Sequence, residues 1–336
     1  MTIKSKYLTG DTKGIEEFID KFNVFLFDCD GVLWSGDTLF EGTVETLEML
    51  RSKGTRTPTS TNSTRTSFTE WLTLLYSTPG KQLVFVTNNS TKSRADYRKK
   101  LEGMGVPATV EEVFNSSYSA SIYISRLLPL PANKRTVFVL GETGIEQELR
   151  AENLHYIGGT DPSYRRDITP ADYVSIADGS ALDSTVGVVL CGLDFHLTYL
   201  KLALAYHYIQ RGAHFLATNS DSTLPSAGTL FPGAGACWVP LVKMLRGREP
   251  EVFGKPSARM MDAIEGKFEI SKRGGKERVC MVGDRLDTDM RFGIEGGLGG
   301  TLMVLTGVSR KEDFEGEGAE VVPMAYLDKL GDLVGK

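Results

Sequence analysis

Val24-Phe25-Leu26-Phe27-Asp28-Cys29-Asp30-Gly31-Val32-Leu33-Trp34 is an apolar run that ends in two carboxylates one residue apart. Strands buried on both faces of a parallel sheet read as continuous apolar runs, and open α/β sheets bind ligands at the carboxyl ends of those strands. Asp28 and Asp30 are therefore expected at the mouth of a crevice. Two further runs end the same way: Leu83-Val84-Phe85-Val86 leads into Thr87-Asn88-Asn89-Ser90, and Val279-Cys280-Met281-Val282 leads into Gly283-Asp284-Arg285-Leu286-Asp287-Thr288-Asp289. Between these two, Val252-Phe253-Gly254-Lys255-Pro256 supplies a lysine. One sheet edge would thus gather acids, a hydroxyl and a cation.

Each motif alone has a plainer reading. An Asp-x-Asp after an apolar run commonly serves a turn or a helix cap, Thr87 and Asn88 could start a helix, Gly254-Lys255-Pro256 could be a loop and Gly283-Asp284 a turn. Capping does not require four such clusters at successive strand ends, so their joint occurrence points to catalysis.

In this order the motifs resemble those of the haloacid dehalogenase-like phosphohydrolases, and within them the 4-nitrophenylphosphatase and phosphoglycolate phosphatase group. The resemblance runs from about Phe22 to the C-terminal end. Trp34, the stretch Gly192-Leu193-Asp194-Phe195-His196-Leu197-Thr198-Tyr199-Leu200-Lys201-Leu202 and the segment Thr218-Asn219-Ser220-Asp221 narrow it to that group. It implies an α/β fold: a doubly wound, Rossmann-like parallel sheet core carrying a large inserted α/β cap domain. It also implies that Asp28 is a nucleophile forming an aspartyl-phosphate, and that Asp30 is the general acid for the leaving oxygen and then the base for water. A dehalogenase has no use for an acid at Asp30. Asp28, the backbone carbonyl of Asp30 and Asp284 offer only oxygen, a set that suits Mg²⁺. Asp289 would anchor Lys255 or the metal's waters. Thr87 and the Asn88 amide would hold phosphoryl oxygens, and Lys255 would balance negative charge.

The substrate implied is a small phosphorylated metabolite, 2-phosphoglycolate first, with 4-nitrophenyl phosphate as an artificial ester. Pyridoxal 5′-phosphate and phosphoproteins are alternatives within the same chemistry. A non-enzymatic phosphoacceptor module also combines an Asp, a metal, a Thr and a Lys, but needs neither an acid at Asp30 nor a cap.

The 336 residues correspond to about two domains, and 41% hydrophobic residues suffice for packed cores. A net charge of −5 offers no basic field for nucleic acid. Neither a membrane-span-length apolar stretch nor a signal-peptide core at Met1-Thr2-Ile3-Lys4 is evident, so a cytoplasmic location without membrane contact is expected. Cys29, Cys191, Cys237 and Cys280 show no metal or redox spacing, and reduced thiols are expected. Cys29, between two acids, is read either as a packed, poorly reactive thiol or as a redox switch.

Thr87 and Lys255 are about 170 residues apart, far more than one helical crossover uses, so a domain is inserted between them. The expected core is 1–130 and 214–336, and the expected cap 131–213. Within the cap, Thr136–Leu140, Tyr173–Ile176 and Val186–Leu190 read as strands and Leu197–Gln210 as a helix. His214–Ala217 is expected to return to the core sheet, Ser93–Leu101 and Phe114–Leu128 read as helices beside it, and Gly293–Gly300 reads as a loop. Residues 55–80, rich in Thr and Ser at their start, exceed what the family carries there. They are either a genuine surface insertion or a gene-model artefact. A cap reads the leaving group while the core reads phosphate, which makes Asp194 and His196 candidate substrate contacts; helix capping is the rival reading for both. Homodimers through the cap occur in this group.

Overall fold

The computed structural model describes residues 4–53, 80–226, 228–316 and 318–335. The chain forms two compact units, one of Met1–Val86, Glu102–Pro107 and Ile264–Lys336, the other of Thr87–Leu101 and Ala108–Ala263.

The first unit is built on parallel strands in the spatial order Lys6–Tyr7, Ala325–Leu327, Gly300–Val304, Val279–Gly283, Val24–Phe27, Gln82–Thr87. Every residue of the Val24–Phe27, Val279–Gly283 and Gly300–Val304 strands is buried, as unbroken apolar runs require. Phe25 and Phe27 stack at 6.1 Å, and Phe22 meets Phe25 edge-on at 5.9 Å. Truncating one such ring to alanine costs about 3–5 kcal/mol. Register aligns the acids: Phe27 lies opposite Val282 on one side and Phe85 on the other, so Asp28 and Asp284 follow neighbouring strands of this unit at nearly the same level.

The second unit holds a parallel sheet in the order Glu251–Val252, His214–Ala217, Val186–Cys191, Thr136–Leu140, Tyr156–Gly158. Alternate residues feed opposite faces: Phe138, Leu140 and Val189 pack with Leu200, Leu204 and Tyr208, while Val137, Val139 and Val188 pack with Ile145 and Leu149.

Several expectations are corrected here. His214–Ala217 pairs with Val186–Cys191, so it belongs to this sheet and not to that of the first unit; the sequence run is apolar enough to suit either. Ending the cap at Ala213 would cut the sheet, and this unit is wider than 131–213 on both sides. Tyr173–Ile176 is not a strand but part of the helix Pro170–Asp178. The signals were present: Thr169 and Asp172 form a capping box, Pro170 occupies the first turn, and Gly179 ends the helix at φ +88°. The helix expected from Phe114 starts at Ser116, capped by Asn115 after a short Val113–Asn115 strand. Gly293 belongs to the helix Arg291–Glu295, and Gly300 opens a strand. Except for Gly80, the segment 55–80 lies outside the described residues. Among the described residues no helix is long and apolar enough to cross a membrane.

Candidate active site

In the first unit the strand ends deliver acids. The Asp28 N–H donates to the Val282 carbonyl at 2.9 Å, extending the ladder one residue beyond Phe27 and fixing the backbone of that acid. Asp284 follows Gly283 on the neighbouring strand, and a wide helical turn over Leu286–Met290 brings Asp289 back beneath it. Carboxylate oxygens of Asp28, Asp284 and Asp289 lie within 4.8 Å of one another. Asp284 and Asp289 are each 1% exposed. Asp289 Oδ2 accepts the N–H groups of Asp284 at 3.2 Å and Arg285 at 3.1 Å, while Asp284 Oδ2 accepts the Val308 N–H at 2.8 Å.

Glycine makes this approach possible. A Cβ on Gly31 would lie 2.6 Å, and one on Gly307 1.8 Å, from Asp284 Oδ2; one on Gly283 would lie 2.2 Å from the Asp289 Cβ. Gly31 also takes φ +87°. Like charges about 4 Å apart repel by about 4 kcal/mol at an effective dielectric of 20. A divalent cation relieves that repulsion, and an all-oxygen carboxylate set fits a hard one. The residues therefore suit a hard divalent cation.

Asp30 is exposed, and its Oδ1 accepts a 2.7 Å hydrogen bond from the fully buried Trp34 Nε1. The indole orients the carboxyl. Trp34 thus has a direct role that the sequence reading left as a family marker.

In the second unit Asn88 is the hub. Its Oδ1 accepts the Lys255 N–H at 2.7 Å, and its Nδ2 donates to the Lys255 carbonyl at 3.0 Å and to Asp221 Oδ1 at 2.9 Å. The Asn88 carbonyl accepts Asn219 Nδ2 at 2.7 Å and Ser116 Oγ at 2.6 Å. Ser116 was not foreseen. A Cβ on Gly254 would stand 2.7 Å from Asn88 Oδ1, which accounts for glycine before the lysine. Thr87 is buried; its Oγ1 accepts the Asn89 N–H at 3.1 Å and lies 3.4 Å from the Tyr97 hydroxyl.

The same unit separates the fates of Asp194 and His196. Asp194 Oδ2 meets Lys201 Nζ at 2.7 Å with both side chains fully buried, and Asp194 Oδ1 accepts the His196 N–H at 2.9 Å. Asp194 fixes the turn. The His196 ring is 58% exposed, 3.4 Å from Glu142 Oε1, and Arg165 Nη2 binds Glu142 Oε2 at 2.9 Å. Burial pushes the Glu142 carboxyl upward, but hydrogen bonds from Arg165 and His196 outweigh it and hold the group below its ordinary value. Glu142 and Arg165 were missed, although Glu142 follows the apolar Thr136–Leu140 run much as Asp28 follows its own.

Comparison with known proteins decides the family. Residues 25–155 match the model of haloacid dehalogenase-like hydrolases, and residues 252–333 match a second, HAD-hydrolase-like model. The chain is 44% identical over 322 residues to the 4-nitrophenylphosphatase of Schizosaccharomyces pombe, covering 96% of both chains. The protein is a haloacid dehalogenase-like hydrolase. This hydrolase is also 37% identical to the chloroplastic phosphoglycolate phosphatase 1A of Arabidopsis thaliana, covering 97% of its own length and 80% of that relative. Among solved structures it matches the 4-nitrophenylphosphatase of Thermotoga maritima with a TM-score of 0.70 at 28% identity, covering 95% and 98% of the two chains. It matches the glycerol phosphate phosphatase of Mycobacterium tuberculosis, solved with magnesium, with a TM-score of 0.68 at 26% identity and coverage of 94% and 77%. The α/β architecture with a mostly parallel sheet, expected from the strand-end motifs, is the fold of this family.

Proposed function

We propose that this hydrolase is a Mg²⁺-dependent phosphomonoesterase of small phosphorylated metabolites, with 2-phosphoglycolate as its first substrate and 4-nitrophenyl phosphate as an artificial one. The observation that carries the reading is the convergence of the Asp28 and Asp284 carboxylates at neighbouring strand ends with that of Asp289 from the following turn, beside an Asp30 carboxyl oriented by Trp34. The names of the relatives support the ester class.

Asp28 attacks phosphorus and the bond to the leaving oxygen breaks, giving an aspartyl-phosphate and an alcohol that takes its proton from Asp30. Asp30, now a carboxylate, removes a proton from water, which attacks the phosphoenzyme and returns Asp28 and inorganic phosphate. A divalent ion held by Asp28, the Asp30 carbonyl and Asp284 would neutralise phosphoryl charge. Asp289 positions Asp284 through its backbone N–H. Thr87 and the Asn88 amide are assigned to phosphoryl oxygens, and Lys255 to the charge of nucleophile and transition state, on the matching motifs. His196, with Glu142 and Arg165 behind it, is assigned to the leaving group, and Asp194 to holding that turn.

Incubating the protein with a panel of phosphate esters, with and without Mg²⁺, tests the proposal. Multiple turnover that requires the ion and ranks 2-phosphoglycolate first supports it. A single equivalent of phosphate transferred without turnover would indicate a phosphoacceptor instead, and a preference for glycerol phosphate or pyridoxal 5′-phosphate would move the substrate within the class.

A further inference from the structure

Asn23 precedes the Val24–Phe27 strand and Asp28 follows it, so these residues mark opposite ends of one strand, roughly 16 Å apart at 3.3 Å per residue. Beside Asn23 is a cavity of about 460 Å³ lined by Asn23, Lys53, Lys81, Glu269, Lys272 and Arg273. This size lies within the range of small-molecule sites.

The lining is strongly one-sided in charge. Among the described residues of the lining, Lys53, Lys81, Lys272 and Arg273 face a single acid, Glu269, in a chain whose net charge is −5. Glu269 Oε1 binds Lys272 Nζ at 2.5 Å, which offsets one cation and leaves three. Lys81 is partly buried, with Nζ donating to the Phe22 carbonyl at 2.6 Å. Burial lowers its pKa; Asp20 opposes that change, and the like charges of Arg278 and Lys53 add to it. Holding a desolvated lysine among other cations opposes folding, and a bound anion would relieve the repulsion. The loop on the far wall is built with care: Asn23 Nδ2 donates to the Arg273 carbonyl at 2.8 Å, and Glu269, a residue with a Cβ, is held at φ +49°.

We propose that this cavity binds a small phosphorylated polyanion, at the end of the nucleophile's strand remote from Asp28. A ligand there would touch the residue that starts the strand whose other end carries the chemistry.

Calorimetric titration of inorganic tripolyphosphate into the full chain carrying Asp28→Asn, in metal-free buffer, tests the site. One-site binding is expected, weakened on the order of tenfold or more by Lys53→Gln/Lys272→Gln/Arg273→Gln, since each substitution removes a charge-assisted contact. Lys255→Ala should leave the affinity unchanged. Should the triple variant melt early, Lys53→Gln and Arg273→Gln made singly carry the same test, each expected to weaken binding about threefold or more. Absence of binding, an affinity unchanged in these variants, or binding lost only with Lys255→Ala would overturn the proposal.

Discussion

Asn88 grips the peptide group on each side of the Lys255 α-carbon: its Oδ1 accepts the Lys255 N–H at 2.7 Å and its Nδ2 donates to the Lys255 carbonyl at 3.0 Å. An amide is the side chain that can accept and donate at once across so short a span. Two motifs far apart in sequence are thereby locked into one arrangement.

Asn88→Ala removes both bonds and leaves a buried N–H unsatisfied, so stability should fall by on the order of 2 kcal/mol. Catalysis should fall for all esters together, because Lys255 loses its position while the surroundings of the leaving group are untouched. Denaturant melts and kcat/KM on two dissimilar esters check this. A wild-type kcat would show that Lys255 does not need Asn88.

Asp28→Asn keeps the shape but removes the proposed nucleophile, and turnover should drop to background with folding preserved. Asp30→Asn should spare 4-nitrophenyl phosphate more than an alkyl ester, since a good leaving group needs little protonation. Trp34→Phe should move in the same direction as Asp30→Asn, because the indole N–H orients that carboxyl at 2.7 Å. Equal losses on aryl and alkyl esters would argue against the acid role.

Chelation should abolish activity and added Mg²⁺ restore it. Asp284→Ala removes one carboxylate of the proposed metal site and should raise the Mg²⁺ concentration for half-maximal rate by about tenfold or more. Full turnover in excess chelator would rule out the metal site.

Asp194 and His196 should part company. Lys201→Met leaves the Asp194 carboxylate buried and uncompensated, which costs about 3–5 kcal/mol, whereas replacing both partners with apolar residues should recover much of that loss. His196→Ala should leave thermal stability nearly unchanged and shift the ratio of kcat/KM between 2-phosphoglycolate and a bulkier ester by on the order of tenfold. An unchanged ratio would return His196 to the reading of an ordinary loop residue.

Lys81 N–H donates to the Leu50 carbonyl at 3.1 Å, and a Cβ on Gly80 would lie 1.7 Å from the Arg51 carbonyl oxygen. Gly80 and Lys81 thus lie beside the end of the Thr43–Ser52 helix. Deleting Thr55 to Gly80 puts Gly54 in the place that requires glycine, so melting temperature and ester turnover should stay close to those of the full chain. Loss of folding would make the segment part of the core.

The apolar runs ending in Asp28, Val86 and Asp284 were enough to read the parallel sheet and to place its acids, because burial on both faces leaves an unbroken hydrophobic signature. Helix punctuation was equally present at Thr169-Pro170 and Gly179, and was overridden only by the strand-like look of Tyr173-Val174-Ser175-Ile176. Partner choice was a different matter. His214–Ala217 would satisfy either sheet by composition, and its pairing with Val186–Cys191 follows from packing of the whole unit.

The sequence by itself determined the residue types of the chemistry, their order and the strands that carry them, since those depend on local polarity and chain direction. Only the tertiary structure decided which side chains are occupied with one another. Asp194 is spent on Lys201, Asn88 on Lys255, and Asp30 on Trp34, while Glu142 and Arg165 stand beside His196. Such pairings arise from distances across the fold, where burial turns an ordinary polar side chain into a committed partner, and no periodicity along the chain encodes them.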